Sequence, residues 1–502
     1  RDSGETTEVI VVMAGDHYTA LGLSIDATPE EIRSAYFLAA RRSHPDANPD
    51  AQTTEWFLRV QEAYDILSNP RRRAEYDASL PEGLMPQPAV AVHVSASRSS
   101  IPRMREPQLV YLLLDINCTA DPAKASAVPA HLCFVVDRST SMQGERIDVV
   151  KSSLLEVLHR LKPVDVVSVV SFSDRAEVVI PPTRVSTLNK NESRIYSIQT
   201  GGGTEVYQGL SLGMKLIRNG PGEEGLRQVI LLTDGHTYGD EQACLSLAES
   251  AGKDGIGISA LGIGHEWNDV FLDRLTGISG GSTQFVRSTR DLDGMLNKIL
   301  AGAGMIYARQ VRLEYHEDEH LTLRYALRLQ PDVASLPLQS PLVLGNLQRG
   351  KGISLLLEVV VSPADDDLDM LQLLDGRLKM QVFDNGVRPA RMFIDVRCPL
   401  DDSAVAEVPP PKLMEAVARM TLYRMQENAR RQVEAGEADK AARQLQFLAT
   451  NLLSRGNREF AHSVLAEAEH IRQSRVFSKD GDKHVKYGTR ALLLPSGMEP
   501  RS

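Results

Sequence analysis

Five oxygen-bearing residues in the middle of the chain follow short apolar or glycine-rich runs. They are Asp137, Ser139, Ser141, Thr204 and Asp234. Carboxylate and hydroxyl oxygens are the ligands that hard divalent cations prefer, so these residue types predict a cation site if the fold brings them together. The first three also fit a simpler alternative: Ser, Thr and Asp cap helices, and a helical pattern begins after Gly144.

The elements around these residues predict where they lie. From 131 to 300, Val- and Ile-rich runs such as "HLCFVVD" and "RQVILLTDG" alternate with helical patterns, which is typical of a buried, mostly parallel, doubly wound sheet. The helical patterns cover 145–161, 205–218, 241–251 and 269–275. Ligands of such sheets bind beyond the carboxyl ends of the strands. Asp137 and Asp234 each end a predicted strand, and three glycines before Thr204 allow a close backbone approach, so we expect the oxygens to converge.

The D-x-S-x-S pattern, the later Thr and the second Asp together resemble the metal-ion-dependent adhesion site of von Willebrand factor type A domains. The resemblance covers this whole segment, including "VVSFSDRAEVV". It implies Mg²⁺ (or Mn²⁺), with Ser139 and Ser141 as direct hydroxyl ligands. It further implies that Thr204 joins in the ligand-bound state and that Asp137 and Asp234 act mainly through water. Neutral hydroxyl ligands leave a hard octahedral cation electrophilic, so an acidic residue of a partner protein can complete its shell.

A second motif, the tripeptide His44-Pro45-Asp46, lies between two amphipathic helical patterns within residues 16–80. The patterns "TPEEIRSAYFLAARRS" and "TTEWFLRVQEAYDIL" predict an antiparallel helix pair, the first with a Thr cap and Pro at its first position. With "DHYTALGL" before and "SNPRRRAEYD" after, the segment resembles a J-domain, the DnaJ-type module that stimulates DnaK-type chaperone ATPases.

The J-domain resemblance implies a role for the tripeptide, which would make the ATPase-stimulating contact. The preceding helix would supply basic charge from Arg33, Arg41 and Arg42. The chain departs from the family in carrying Ser43 before the tripeptide and Ala47 after it, where basic or aromatic residues are common. We therefore expect weaker stimulation, with the contact itself retained.

The remaining segments predict a multidomain α and β chain. Segments 108–130 and 301–400 read as strands of one antiparallel β-sandwich into which the α/β domain is inserted. The predicted divisions are an extension (1–15), a J-domain (16–80), a linker (81–107), sandwich strands (108–130), the type A domain (131–300), the sandwich (301–400), a helical hairpin docked on the sandwich (409–474) and a tail (475–502). Residues 1–12 precede Met13 and are expected to be an upstream extension or a mis-called start. The linker is rich in Pro and Ser with one short strand at 89–94, and the tail is expected to be solvated or to form a docked strand.

Three stretches match patterns of known functional motifs, but their sequence context does not support those functions. "HEDEH" contains His316, Glu317 and His320 in zinc-protease spacing, but that chemistry needs both histidines on one helix face, and the stretch reads as the polar turn of a hairpin. "GNLQRGKG" lacks the Ser or Thr of a phosphate-binding loop and reads as a turn. "GIGISA" lies inside a strand instead of opening a helix, which excludes dinucleotide binding. No G-x-S-x-G nucleophile motif is present, so we expect no enzymatic activity.

Composition narrows the function classes. With 42% hydrophobic residues, 24% charged residues and a net charge of −10, the chain has the composition of a soluble globular protein and disfavours nucleic acid as a partner. Its four cysteines lack C-x-x-C spacing, and no apolar run is long enough for a signal peptide or a membrane span, so we expect a cytoplasmic location.

The preferred functional prediction is a co-chaperone or assembly scaffold that recruits a DnaK-type chaperone and captures an acidic partner through Mg²⁺. Two alternatives remain open from the sequence. One is an accessory subunit of an AAA-type ATPase in metal or complex assembly. The other is a zinc hydrolase that uses the "HEDEH" stretch.

Overall fold

The computed structural model describes most of the 502-residue chain. The described residues are 17, 21, 32–33, 35–37, 60–68, 72, 76, 89–121, 128–190, 192–221, 225–237, 239–264, 266–286, 289–303, 305–317, 320–363, 369–383, 387–401 and 408–493. In chain order, the strands are β1 (Val90–Ala96), β2 (Ile101–Pro102), β3 (Gln108–Cys118), β4 (Ala130–Asp137), β5 (Val166–Phe172), β6 (Ala176–Arg184), β7 (Leu226–Thr233), β8 (Ile256–Ile263), β9 (Thr283–Val286), β10 (Ile306–His316), β11 (Leu321–Gln330), β12 (Ala334–Ser335), β13 (Leu342–Gln348), β14 (Ile353–Val361), β15 (Met370–Phe383) and β16 (Val387–Asp401).

Helices are numbered separately within the described residues from 89 onward. They are α1 (Glu145–Arg160), α2 (Ser193–Tyr196), α3 (Val206–Asn219), α4 (Glu241–Lys253), α5 (Asp269–Ser279), α6 (Thr289–Ala303), α7 (Pro411–Glu434), α8 (Ala438–Ser454), α9 (Arg458–Ser474) and α10 (Gly481–Leu493).

The described part of the N-terminal segment includes helical residues at 32–33 and 35–37 and a helical stretch at 60–67, which pack together. Ile32 on the first side and Val60, Ala63 and Leu67 on the second are buried in one cluster with Leu21, which precedes both. The rings of Tyr36 and Tyr64 stack with centroids 4.1 Å apart, and the Tyr76 hydroxyl accepts a hydrogen bond from the His17 backbone N–H at 3.0 Å. These contacts confirm that the helical residues on the two sides pack against each other, while their antiparallel direction stays a prediction.

The central domain is built on a six-stranded sheet in the order β6-β5-β4-β7-β8-β9. All neighbouring strands are parallel except β6, which pairs antiparallel with β5 at one edge. Every residue of β4 and β5 is buried, because helices cover both faces: α1 and α6 pack on one, and α3, α4 and α5 on the other. The prediction of a doubly wound α/β domain is confirmed.

The β-sandwich has two five-stranded sheets, in the orders β1-β3-β14-β11-β12 and β13-β10-β15-β16-β2. Because β3 precedes the central domain and β10 follows it, that domain is inserted into the sandwich. The segment predicted as a linker contains the expected short strand, which is β1, and a second strand that was not expected, β2; both pair at sheet edges. One prediction was wrong. The "HEDEH" stretch is not a hairpin turn, because β10 and β11 belong to different sheets.

The C-terminal helices pack on the β-sandwich and on the central domain. Gly436 (φ 77°) and Gly456 (φ 82°) adopt the left-handed conformation that ends α7 and α8, so the predicted helical hairpin of α8 and α9 is present. Apolar residues of α7 pack on the sandwich. The tail prediction was wrong, since residues 481–493 form α10 and no docked strand. No helix in the described ranges is long and apolar enough to cross a membrane.

A buried ionic cluster joins the C-terminal helices to the central domain. Asp269, at the start of α5, accepts hydrogen bonds from Arg430 of α7 and Lys486 of α10. One turn later, both carboxylate oxygens of Asp273 accept hydrogen bonds from Arg490, at 2.9 and 2.6 Å. Burial raises the pKa of Asp269, but the bonded cations outweigh it and hold that pKa well below its usual range. The α10 cations are therefore buried as ion pairs.

Candidate functional site

The two candidate carboxylates lie at the carboxyl edge of the central sheet. β4 and β7 are adjacent and parallel, with Val136 opposite Leu232. Asp137 and Asp234 therefore leave the sheet side by side, where the chain turns from strand to loop. Both are fully buried, at 0% exposure. Two carboxylates in such a place favour a cation between or near them.

Two hydroxyls connect these carboxylates. Ser139 and Ser141 lie on the loop and 3-10 turn that follow β4, and their Oγ atoms are 3.0 Å apart. The Ser141 hydroxyl donates to Asp234 Oδ1 at 2.7 Å. Two oxygens that each lie about 2.1 Å from an octahedral Mg²⁺ are about 3 Å apart, so the spacing of the hydroxyls fits neighbouring positions of such a shell.

Asp137 fixes the geometry of the loop. Its Oδ1 accepts the backbone N–H of Ser139 at 2.8 Å, and its Oδ2 accepts the hydroxyl of Thr233 at 2.6 Å. Burial raises the pKa of Asp137, hydrogen bonds from the Ser139 hydroxyl, the Thr233 hydroxyl and the Ser139 backbone N–H oppose that rise, and the nearby charge of Asp234 adds to it. The carboxylate thus lies in a place where further positive charge would stabilise it.

The glycine-rich loop closes the site from the other side. The carbonyl of Gly202 (φ 85°) accepts both the backbone N–H and the hydroxyl of Thr140, at 3.1 and 3.0 Å. The positive φ favours glycine, and an added Cβ at Gly202 would lie 2.4 Å from one carboxylate oxygen of Asp174, whose other oxygen accepts the Gly203 backbone N–H at 2.8 Å. The loop leads to Thr204, which is buried, and a Cβ on Gly235 would lie 3.2 Å from its Oγ1. Thr204 therefore lies beside the segment that carries Asp234.

Sequence reasoning missed one residue of the site, Arg146 in the first turn of α1. Its guanidinium donates to the second carboxylate oxygen of Asp234 and, at 3.2 Å, to the backbone carbonyl of Ser141. Its side chain is 38% exposed. The contact spans 88 positions, and one arginine on an amphipathic helix gives no sequence signal for it.

The donor set fits a hard cation with open positions. Among the described residues, no group of three or more His, Cys, Asp or Glu side chains is placed to hold a metal. The site instead combines two carboxylates with three hydroxyls, and a single guanidinium already balances one of the carboxylates. Oxygen ligands of this kind suit Mg²⁺ or Mn²⁺ and do not suit a zinc site.

The other predicted residues are placed as follows. Arg33 is exposed on a helical stretch of the N-terminal segment. The tripeptide 44–46, with Arg41 and Arg42, lies outside the described residues. His316 ends β10 with Nδ1 3.7 Å from Asp375, and Glu317 accepts the backbone N–H of Leu323. Because His316 belongs to a strand and His320 to a turn, the two histidines do not share one helix face as a zinc protease requires.

Three family models match separate parts of the chain. They are the DnaJ domain at 16–77, the von Willebrand factor type A domain at 132–236, and the Sll0103-like C-terminal alpha-helical domain at 411–495. The third was not anticipated from the sequence.

Individual relatives match different portions. The protein sll0103 of Synechocystis sp. is 25% identical over 73% of this chain and 89% of its own length. The chaperone protein DnaJ of Leifsonia xyli is 50% identical over 62 residues, which are 12% of this chain and 17% of that protein. The chain thus covers less than a fifth of the DnaJ protein.

Two solved structures share the fold. One, titled von Willebrand factor type A from Catenulispora acidiphila, superposes with a TM-score of 0.64 at 14% identity, over 80% of this chain and 97% of that chain. The ArnB paralog VWA2 from Sulfolobus acidocaldarius gives 0.56 at 15% identity, over 81% and 100%. The chain therefore combines an N-terminal DnaJ domain, a central von Willebrand factor type A domain inserted in a β-sandwich, and a C-terminal α-helical domain.

Proposed function

We propose that this chain is a co-chaperone or assembly scaffold with two recognition ends. The DnaJ domain recruits and stimulates a DnaK-type chaperone, and the type A domain captures a protein partner through Mg²⁺ or Mn²⁺. The observation that carries the second half is the hydrogen-bonded contact of Ser139, Ser141 and Asp234 beside buried Asp137. The 50% identity to a DnaJ protein over 62 residues supports the first half.

In this proposal each site residue has a separate task. Ser139 and Ser141 bind the ion through their hydroxyls, and Thr204 joins when a partner is bound. Asp137 and Asp234 supply negative charge and orient the hydroxyls through the contacts described above. The bound ion supplies an electrophilic centre whose open position a carboxylate of the partner fills. No step changes a covalent bond.

A pull-down from lysate, read by mass spectrometry, tests the capture. We expect proteins retained by the full chain in Mg²⁺ to be lost in EDTA and in Asp137→Ala, because both remove the ion. The matched control is Asp148→Ala, an exposed carboxylate on α1 that makes no contact with the cluster. Retention that stays at the level of wild type in Mg²⁺, both in EDTA and in Asp137→Ala, would contradict the metal-dependent capture.

An ATPase assay with a DnaK-type chaperone tests the other end. The proposal assigns the chaperone contact to His44, Pro45 and Asp46, with Arg33, Arg41 and Arg42 as basic support. We expect the wild-type chain to stimulate the ATPase weakly, because Ser43 and Ala47 stand where basic or aromatic residues are common in the family. We expect His44→Gln to give no stimulation. Gln61→Ala, an exposed change on the described helix, is the control. Stimulation that survives His44→Gln would refute this assignment.

A further inference from the structure

A groove of about 430 Å³ is lined by residues of the two loops that also carry the candidate metal site. Arg138, between Asp137 and Ser139 in the chain, forms one part of its lining, and Gln199 forms another. The two segments are tied together, since the Gly201 backbone N–H donates to the Arg138 carbonyl at 2.8 Å. The groove therefore shares both of its loops with the site.

The groove carries more positive than negative charge. Arg138 and Arg194 both line it, against the single carboxylate of Glu177. Arg138 reaches Glu177 only at 3.5 Å, and the Glu177 side chain is 69% exposed, so water screens the pair. The Arg138 Nε is buried and has no hydrogen-bond partner among the described residues. Arg138 and Arg194 therefore present guanidinium groups to the groove, and a guanidinium suits a carboxylate because it can donate two parallel hydrogen bonds to it.

The shape of the groove fits an extended chain. Three consecutive residues of β6 line it, namely Glu177, Val178 and Val179. Successive side chains of a strand point to opposite faces, so residues from both faces of β6 contribute to the lining. In the described part of the sheet, β6 pairs with β5 alone and forms its edge.

We propose that Arg138 and Arg194 bind a second carboxylate of the segment whose first carboxylate completes the metal shell. The inference rests on the proposed metal-dependent capture and specifies its partner as an extended peptide segment with two nearby acidic residues. An extended chain advances about 3.3 Å per residue, so acids separated by one to three residues can reach both the ion and the arginines next to it. The site thereby distinguishes doubly acidic from singly acidic segments.

Fluorescence anisotropy with labelled synthetic peptides tests this selectivity. The probes are Gly-rich peptides with one Asp, or with two Asp separated by one, two or three Gly, added to the full chain in Mg²⁺. We expect the best two-Asp peptide to bind wild type about tenfold more tightly than the one-Asp peptide. In Arg194→Gln and in Arg138→Gln this ratio falls toward one, whereas in Arg160→Gln, on the far end of α1, it stays near ten.

Each other outcome has a defined meaning. A ratio near ten that persists in both arginine variants overturns the subsite, as does tighter binding of a single-stranded oligonucleotide than of the two-Asp peptide. Equal weakening of both peptides also overturns it, because that marks general electrostatic attraction. If neither peptide binds wild type in Mg²⁺ more tightly than in EDTA, the metal-dependent capture itself fails. Arg194 is exposed, so Arg194→Gln tests the groove without disturbing the fold.

Discussion

Replacing Arg146 by Gln should increase the affinity of the type A domain for Mg²⁺. The Arg146 guanidinium is bonded to buried Asp234 and lies against the Ser141 carbonyl, so an arriving cation meets a positive charge already in place. Two unit charges at contact distance interact by about 4 kcal/mol at an effective dielectric constant near 20. Because the Arg146 side chain is 38% exposed, water screens the interaction, and we expect about 1–2 kcal/mol.

That energy corresponds to about a tenfold lower Kd for Mg²⁺ in Arg146→Gln. Isothermal titration calorimetry on the metal-free protein measures it. Without metal, the variant should also melt at a lower temperature than wild type, and saturating Mg²⁺ should close the gap. Arg160→Gln is the matched control, since Arg160 lies on the same helix and pairs with Glu156 away from the site. An unchanged or higher Kd in Arg146→Gln would refute the placement of the ion beside Asp234.

Three further outcomes follow from the contacts. Gly202→Ala should weaken Mg²⁺ binding about tenfold although it removes no ligand, because its Cβ would push aside the Asp174 carboxylate that holds the glycine-rich loop through the Gly203 backbone N–H. Gly239→Ala, with a similar φ but nothing near its Cβ, should not weaken it, and calorimetry compares the two variants. Asp269→Asn should lower the free energy of unfolding by about 3–5 kcal/mol in urea titrations, since it leaves buried cations unpaired, whereas the exposed Asp439→Asn should leave the midpoint unchanged. Burial lowers the pKa of Lys483 to about 8, so above that pH the unfolded chain binds more protons than the native chain. The free energy of unfolding of wild type should therefore rise relative to that of Lys483→Met between pH 8 and 10. A difference between the two that stays constant over this range would contradict the prediction.

The central fold and the placement of the two candidate carboxylates at one edge of the sheet were predictable, for the same physical reason. A parallel strand covered on both faces must be apolar along its whole length, so β4 and β7 are visible as continuous runs. The residues at which those runs end, Asp137 and Asp234, then lie at the edge where such sheets bind ligands. The apolar run identifies the strand, and the end of the run identifies the residue at the edge of the sheet, so the sequence predicts both.

The features that were missed depend on partners distant in the chain. Lys486 and Arg490 look like solvated charges in "KHVKYGTR", and only Asp269 and Asp273, more than 200 positions earlier, allow them to be buried in α10. Arg146 likewise belongs to the site only because it donates a hydrogen bond to Asp234, 88 positions later. The sequence around a charged residue does not indicate the distant partner with which it will form a buried ion pair. Periodicity therefore could not predict that α10 docks on the central domain or that Arg146 contacts the site.

Direct measurement of metal stoichiometry tests the central claim. Mn²⁺ titration of the purified full chain, followed by electron paramagnetic resonance, should show one tightly bound ion per chain that Mg²⁺ displaces. Ser139→Ala combined with Ser141→Ala should remove that ion, while Ser152→Ala, an exposed hydroxyl on α1, should retain it. The absence of stoichiometric Mn²⁺ in wild type, or an ion that persists without the two hydroxyls, would contradict the account.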